Sequence, residues 1–206
     1  MSPFSNLPVQ PSLFRHTDQW FNRACASLLT TIPCRKGCSR CCIGPFPITI
    51  LDREEIHRGL EHLPTCERQD IEQRAREQVA EMEIRYPRLK GSCILDEWDD
   101  ALVERLVTEF AEVPCPALQS DGSCGIYESR PLTCRTMGLP TQEQGLVQGA
   151  CEIQTFIPVR RLSSAIREQE QQLARQEAMA LDQLRQQHKI VGEELLVTYG
   201  FVQMNR

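Results

Sequence analysis

The sequence predicts a mainly α-helical fold: helices around an irregular, metal-stapled, cysteine-rich centre, with a long C-terminal helix. Three observations carry this. Apolar residues recur at helical spacing in five stretches, most of them closed by proline. Eight cysteines fall in two groups, one of them within a Gly/Pro-rich segment of little periodicity. The alternation of strands and helices that marks a parallel α/β fold is missing.

Residues 1–15 are Pro-rich and read as irregular. Thr17 or Asp18 then caps a helix near 17–30, with Trp20, Phe21, Ala24, Cys25, Leu28 and Leu29 on its apolar face. Pro33 ends it and delivers the chain to Cys34. Gly44, Pro45 and Pro47 forbid a helix after Cys42. Asp52 and Glu55 resemble a capping box opening a helix near 52–63, striped by Ile56, Leu60 and Leu63. A charged helix near 66–84 follows Pro64, with Ile71, Ala75, Val79 and Met82 inward. Another spans 97–112, with Trp98, Leu102, Val103, Leu106, Val107 and Phe110 on one side. Pro114 and Pro116 bracket Cys115 and close it.

The last helix covers about 160–189 and shows an incomplete heptad of Leu162, Ile166, Leu173, Ala180 and Leu184. Glutamines 169, 176, 183 and 187 interrupt its seam, so packing along the domain is favoured over a coiled coil. Gly192 ends it, and residues 195–202 form a strand or a docked tail. The expected division is a cysteine-cluster domain over 1–158, with a helical insertion at about 52–113, and a C-terminal helix and tail over 159–206.

The chain has 206 residues, 41% of them hydrophobic, enough for a core of its own. A net charge of −5 argues against nucleic acid and against a membrane surface as partners. No apolar run is long enough to span a bilayer, and the N-terminal residues lack the pattern of a secretory signal. The expected location is therefore cytoplasmic, where disulfides are disfavoured and 11 cysteines point to metal or redox work.

The run Cys34-Arg-Lys-Gly-Cys38-Ser-Arg-Cys41-Cys42 is the densest signal. Cys115, Cys124, Cys134 and Cys151 form the second group. Thiolates are soft ligands for zinc and iron–sulfur clusters. The side chains of the adjacent Cys41 and Cys42 diverge in most backbone conformations, so they more easily serve two metal atoms than one ion. Eight thiols in two groups fit two zinc sites of four thiolates each, or one cluster with spare ligands. Irregular spacing favours an iron–sulfur cluster or iron, with zinc as the alternative. Arg35, Lys36, Arg40, Arg130 and Arg135 stand inside or beside the groups and would favour thiolate. Cys25 reads as core filling, Cys66 as a helix start and Cys93 as part of a polar connector, so all three are left out of the ligand set. The four histidines show no ligand pairing, and no phosphate loop, Gly-x-Ser-x-Gly or His-Glu-x-x-His occurs.

Cys34-x3-Cys38-x2-Cys41-Cys42, Cys115-Pro, and Cys124-Gly-Ile-Tyr127-x-x-Arg130-Pro-x-x-Cys134-Arg, followed by Cys151, resemble the CxxCxxCC (YkgJ-type) family. Its members are described as zinc- or iron-chelating and sometimes as iron–sulfur proteins. The resemblance covers roughly 34–151 and implies a metal ion held by the eight cysteines. Three residues, not two, separate the first two cysteines here. Tyr127 and Arg130, lying between Cys124 and Cys134, are expected to support the site without ligating. Flagellin lysine methyltransferases carry a similar cluster, and Cys34-x3-Cys38-x2-Cys41 has the spacing with which radical-SAM enzymes hold a four-iron cluster. Three readings follow: a binding module for iron or zinc, a redox or radical enzyme, and a zinc-stapled scaffold whose long helix recruits a protein partner.

Overall fold

A computed structural model describes residues 10–28, 37–139, 141–143, 146–148, 161–189 and 191–203. It is mainly helical. The helices are α1 (Gln10–Ser27), α2 (Ile50–Glu61), α3 (Thr65–Arg85), α4 (Asp100–Glu109), α5 (Leu132–Thr136) and α6 (Ser164–His188). Strands β1 (Pro47–Thr49) and β4 (Glu194–Leu196) pair antiparallel, as do β2 (Thr141–Glu143) and β3 (Leu146–Gln148). The chain divides into two compact units: residues 1–35 with 132–187, and residues 36–131 with 188–206.

In the first unit, α1 begins seven residues before the expected cap at Thr17. Pro11 falls in its first turn, where no N–H is needed, so the Pro-rich start does not prevent a helix. Thr17 lies within the helix and its hydroxyl donates to the Leu13 carbonyl at 3.0 Å. Trp20, Ala24, Leu139, Leu162 and Ile166 form a buried cluster, with Cys25 packed against it. Trp20 Nε1 donates to the Ile166 carbonyl at 3.0 Å. α5 packs against α1, and its buried Arg135 pairs with Asp18 while lying over the Phe14 ring.

In the second unit, α2 starts at Ile50, two residues earlier than expected. Thr49 is its N-cap, and Asp52 is the reciprocal partner of the capping box. The expected box at Asp52–Glu55 is thus shifted by one turn, because Thr49 offers the hydroxyl that the motif needs. α3 begins at Thr65, one residue before the expected range, and buries Ile71, Ala75 and Met82, with Val79 half-buried. α4 is shorter than expected, with the Asp99 carboxylate accepting from Ala101 N at 3.0 Å.

The tail is both a strand and a docked turn. β4 registers Ile48 against Leu195, and residues 197–201 follow as a buried 3-10 turn packed on α2 and α3. The approach is close: a Cβ on Gly200 would stand 2.7 Å from Ile56 Cδ1. The Asp96 carboxylate fixes the entry to β4 by accepting from the backbone N–H groups of Glu193 and Glu194 at 2.9 Å.

Candidate metal centre

The first cysteine group enters the second unit through a short 3-10 turn, Arg40–Cys42, closed by Cys42 N to Ser39 O at 2.9 Å. Beyond it the chain pairs with residues 113–115. Cys115 N donates to Cys42 O at 2.7 Å, and Gly44 N donates to Val113 O at 2.8 Å. Prolines keep this stretch from turning into a helix, so its backbone groups find partners across the chain instead.

Residues 115–125 then fold back on themselves. Gln119 N donates to Ser123 O at 2.9 Å, and Gly125 N donates to Ala117 O at 2.8 Å. The reversal needs a positive φ at Gly122, which is +81°. A Cβ there would lie 3.5 Å from the Gly37 carbonyl, so the turn sits against the loop before Cys38.

Helix α3 grips this fold from the side. Arg74 Nε and Nη2 both donate to the Pro116 carbonyl, at 2.9 and 2.8 Å, and Gln78 Nε2 donates to the Pro114 carbonyl at 2.9 Å. Cys115 is thus clamped on both sides by one helix. Neither residue was singled out from the sequence. They belong to what reads as a solvated charged face, and only their reach to carbonyls some forty residues away distinguishes them.

The second unit therefore brings Cys41, Cys115 and Cys124 within electrostatic reach of one another, with Cys42 hydrogen-bonded to Cys41. A hydrogen bond with Cys42, helped by the charge of Arg130, brings the Cys41 thiol down to about 7. Burial pushes Cys115 up to about 12, and also raises Cys124 against the opposing charge of Arg130. Leu118 N donates to the Cys115 carbonyl at 2.9 Å, and the backbone at Ala117 and Ile126 favours thiolate at Cys115 and Cys124 against burial. Arg130 stacks over Tyr127, 4.0 Å from the ring centroid, and donates to the Tyr127 carbonyl at 3.1 Å.

Cys38 lies in the same unit, half-buried, while Cys134 is carried by α5 in the first unit. Cys34 and Cys151 lie outside the described residues. All nine described cysteines are thiols. Among the described residues, no three His, Cys, Asp or Glu side chains already stand in ligating geometry. Cys25 is half-buried beside the Trp20 cluster, where burial raises it to about 11, and Cys66 is exposed. Cys93 is buried, so its connector is not the polar stretch that its neighbours in sequence suggest. Arg135, expected near the second cysteine group, is held by Asp18 and Phe14.

A mainly helical fold whose loops collect thiols, backbone groups that favour thiolate and a guanidinium defines a cysteine-cluster protein. Its donors are those that zinc and iron accept. The chain belongs to the CxxCxxCC family: the family profile, described as a putative zinc- or iron-chelating domain, matches residues 33–152. No curated protein and no solved structure matches it. No described helix is long and apolar enough to cross a membrane.

Proposed function

We propose that this protein binds iron, as an iron–sulfur cluster, through thiolates drawn from the set Cys34, Cys38, Cys41, Cys42, Cys115, Cys124, Cys134 and Cys151, the rest being spare. The observation that carries the reading is the provision for sulfur charge around Cys41, Cys115 and Cys124. The backbone at Ala117 and Ile126 favours thiolate at Cys115 and Cys124, and the charge of Arg130 does so at Cys41 and Cys124. Such groups stabilise metal-bound thiolate and tune its charge. Burial raises Cys115 and Cys124 as thiols, and a bound cation would reverse that preference.

Iron–sulfur is preferred to zinc because the first cysteine group is irregularly spaced and the chain has no paired Cys-Pro-x-Cys-Gly zinc knuckles. When bound, such a cluster would supply electron transfer. The chain's own part is to hold the thiolates, offset their charge and shield them with the Tyr127–Arg130 stack. A cytoplasmic location belongs to the same reading, since thiols stay reduced there.

The test is purification without oxygen, followed by metal analysis and absorption spectroscopy. A broad band near roughly 400 nm from thiolate-to-iron charge transfer is expected. A colourless protein with stoichiometric zinc would sink the iron–sulfur reading and leave a zinc-stapled scaffold.

A further inference from the structure

The second unit contains a cleft of about 650 Å³ with no assigned role. It is lined by α3, by the connector that follows it, and by the docked tail. The volume is in the range of sites for small organic ligands. Val79, Leu89, Ile94 and Phe201 supply apolar walls. Tyr199 lines the cleft with only 3% of its surface exposed, and its hydroxyl makes no hydrogen bond of good geometry among the described residues, although Glu83 lies close to it. A buried hydroxyl left this way is costly unless something else satisfies it.

Charge narrows the class of ligand. The Glu83 carboxylate also lines the cleft and lies near enough to act on the Tyr199 phenol. No ion pair among the described residues involves Glu83. Glu72 and Arg76, on the same wall, pair with each other at 3.7 Å. Lys90 is exposed. The half-buried charge beside the phenol is therefore negative, while the half-buried Arg53 reaches the lining from α2, where its Nη2 donates to the Val202 carbonyl at 3.3 Å.

We propose that this cleft binds a small primary amine with an apolar body. The ammonium would donate to the Glu83 carboxylate and the Tyr199 oxygen together, and the hydrocarbon would lie on Val79, Leu89, Ile94 and Phe201. The site is independent of the cysteine cluster and does not rest on the identity of its metal.

The test is a titration of the full-length, metal-loaded protein with hexylamine, hexanol and hexanoate, read from backbone amide shifts at Gly91, Ser92 and Val202. These three probes share one chain length and differ in head-group charge. Hexylamine should bind roughly tenfold more tightly than hexanol, as about 1.4 kcal/mol from one partly desolvated ion pair implies. Glu83→Gln should abolish that preference. Tyr199→Phe, which keeps the ring, should weaken the amine several-fold, with the fold of each variant verified by thermal melting. Equal or tighter binding of hexanoate, an amine preference that survives Glu83→Gln, or no shift at these amides at about 10 mM hexylamine would overturn the proposal.

Discussion

Surroundings separate thiols that are chemically identical in sequence: a hydrogen bond with Cys42 lowers Cys41, and burial raises Cys115. Cys41 sits near 7 while Cys115 is pushed to about 12, and a metal must displace the proton from each. Serine at Cys38, Cys41 or Cys134 is expected to lower bound metal, whereas serine at Cys25, Cys66 or Cys93 should leave it intact. Cys93→Ser should nonetheless cost about 1–2 kcal/mol, because it places a hydroxyl where a small hydrophobe is buried. Metal analysis and urea unfolding of the same variants check both halves. Full metal in Cys41→Ser beside loss in Cys66→Ser would reverse the ligand assignment. His57 shows the same physics on a base: burial first, then the Arg53 charge, lowers it to about 4. Above pH 6.5 it is neutral in both states, and its contribution to stability is complete. As pH falls from 6.5 to 4, the unfolded chain takes a proton that the folded one refuses, and on the order of 3 kcal/mol is lost. Below 4 no more is lost. Urea midpoints at pH 7 and pH 4.5 should differ less in His57→Gln than in the unaltered protein; an identical difference would remove His57 from the account.

At the scale of elements, α3 is the support on which the cysteine loops rest. Its apolar stripe is readable from sequence, because burying Ile71, Ala75 and Met82 needs only a local period of 3.6. Its second task is not readable there. Arg74 and Gln78 face the backbone of residues 114–116, and nothing local distinguishes them from solvated neighbours. Arg74→Ala removes a two-pronged, charge-assisted bond to the Pro116 carbonyl, at a cost of about 1.5–3 kcal/mol. It should also loosen the segment carrying Cys115 and speed metal loss to a chelator. Arg74→Lys, a point charge without the fork, should recover part of the stability. Urea melts with a chelator-competition time course read both effects; unchanged values in Arg74→Ala would make the clamp incidental. α5 escaped detection for a different reason: at Leu132–Thr136 it is too short to show a period.

At the scale of the whole molecule, each compact unit is built from two separated stretches of chain. Residues 188–206 return to the unit that holds residues 36–131, where β4 pairs with β1 and the 3-10 turn fills the space against α2 and α3. Stripping the metal should therefore act unevenly. Amide hydrogen exchange should accelerate in residues 38–44 and 114–126, whose pairing is mostly loop to loop, and change little in α2, α3 and the 195–201 segment. Uniform acceleration across the second unit would show that the metal is required for its entire core.

The sequence by itself determined the helical class, the long last helix and the family, because helical periodicity and cysteine spacing are written over short distances. It also marked Asp52 as part of a capping box, though only the backbone showed that Thr49 opens it. Tertiary structure decided what depends on residues far apart: that Cys93 is core, that Arg135 serves Asp18, and that Arg74 holds the carbonyl after Cys115. The reason is physical. A period records which face of an element is apolar, but the partner of a polar group is set by long-range packing, which local spacing does not encode.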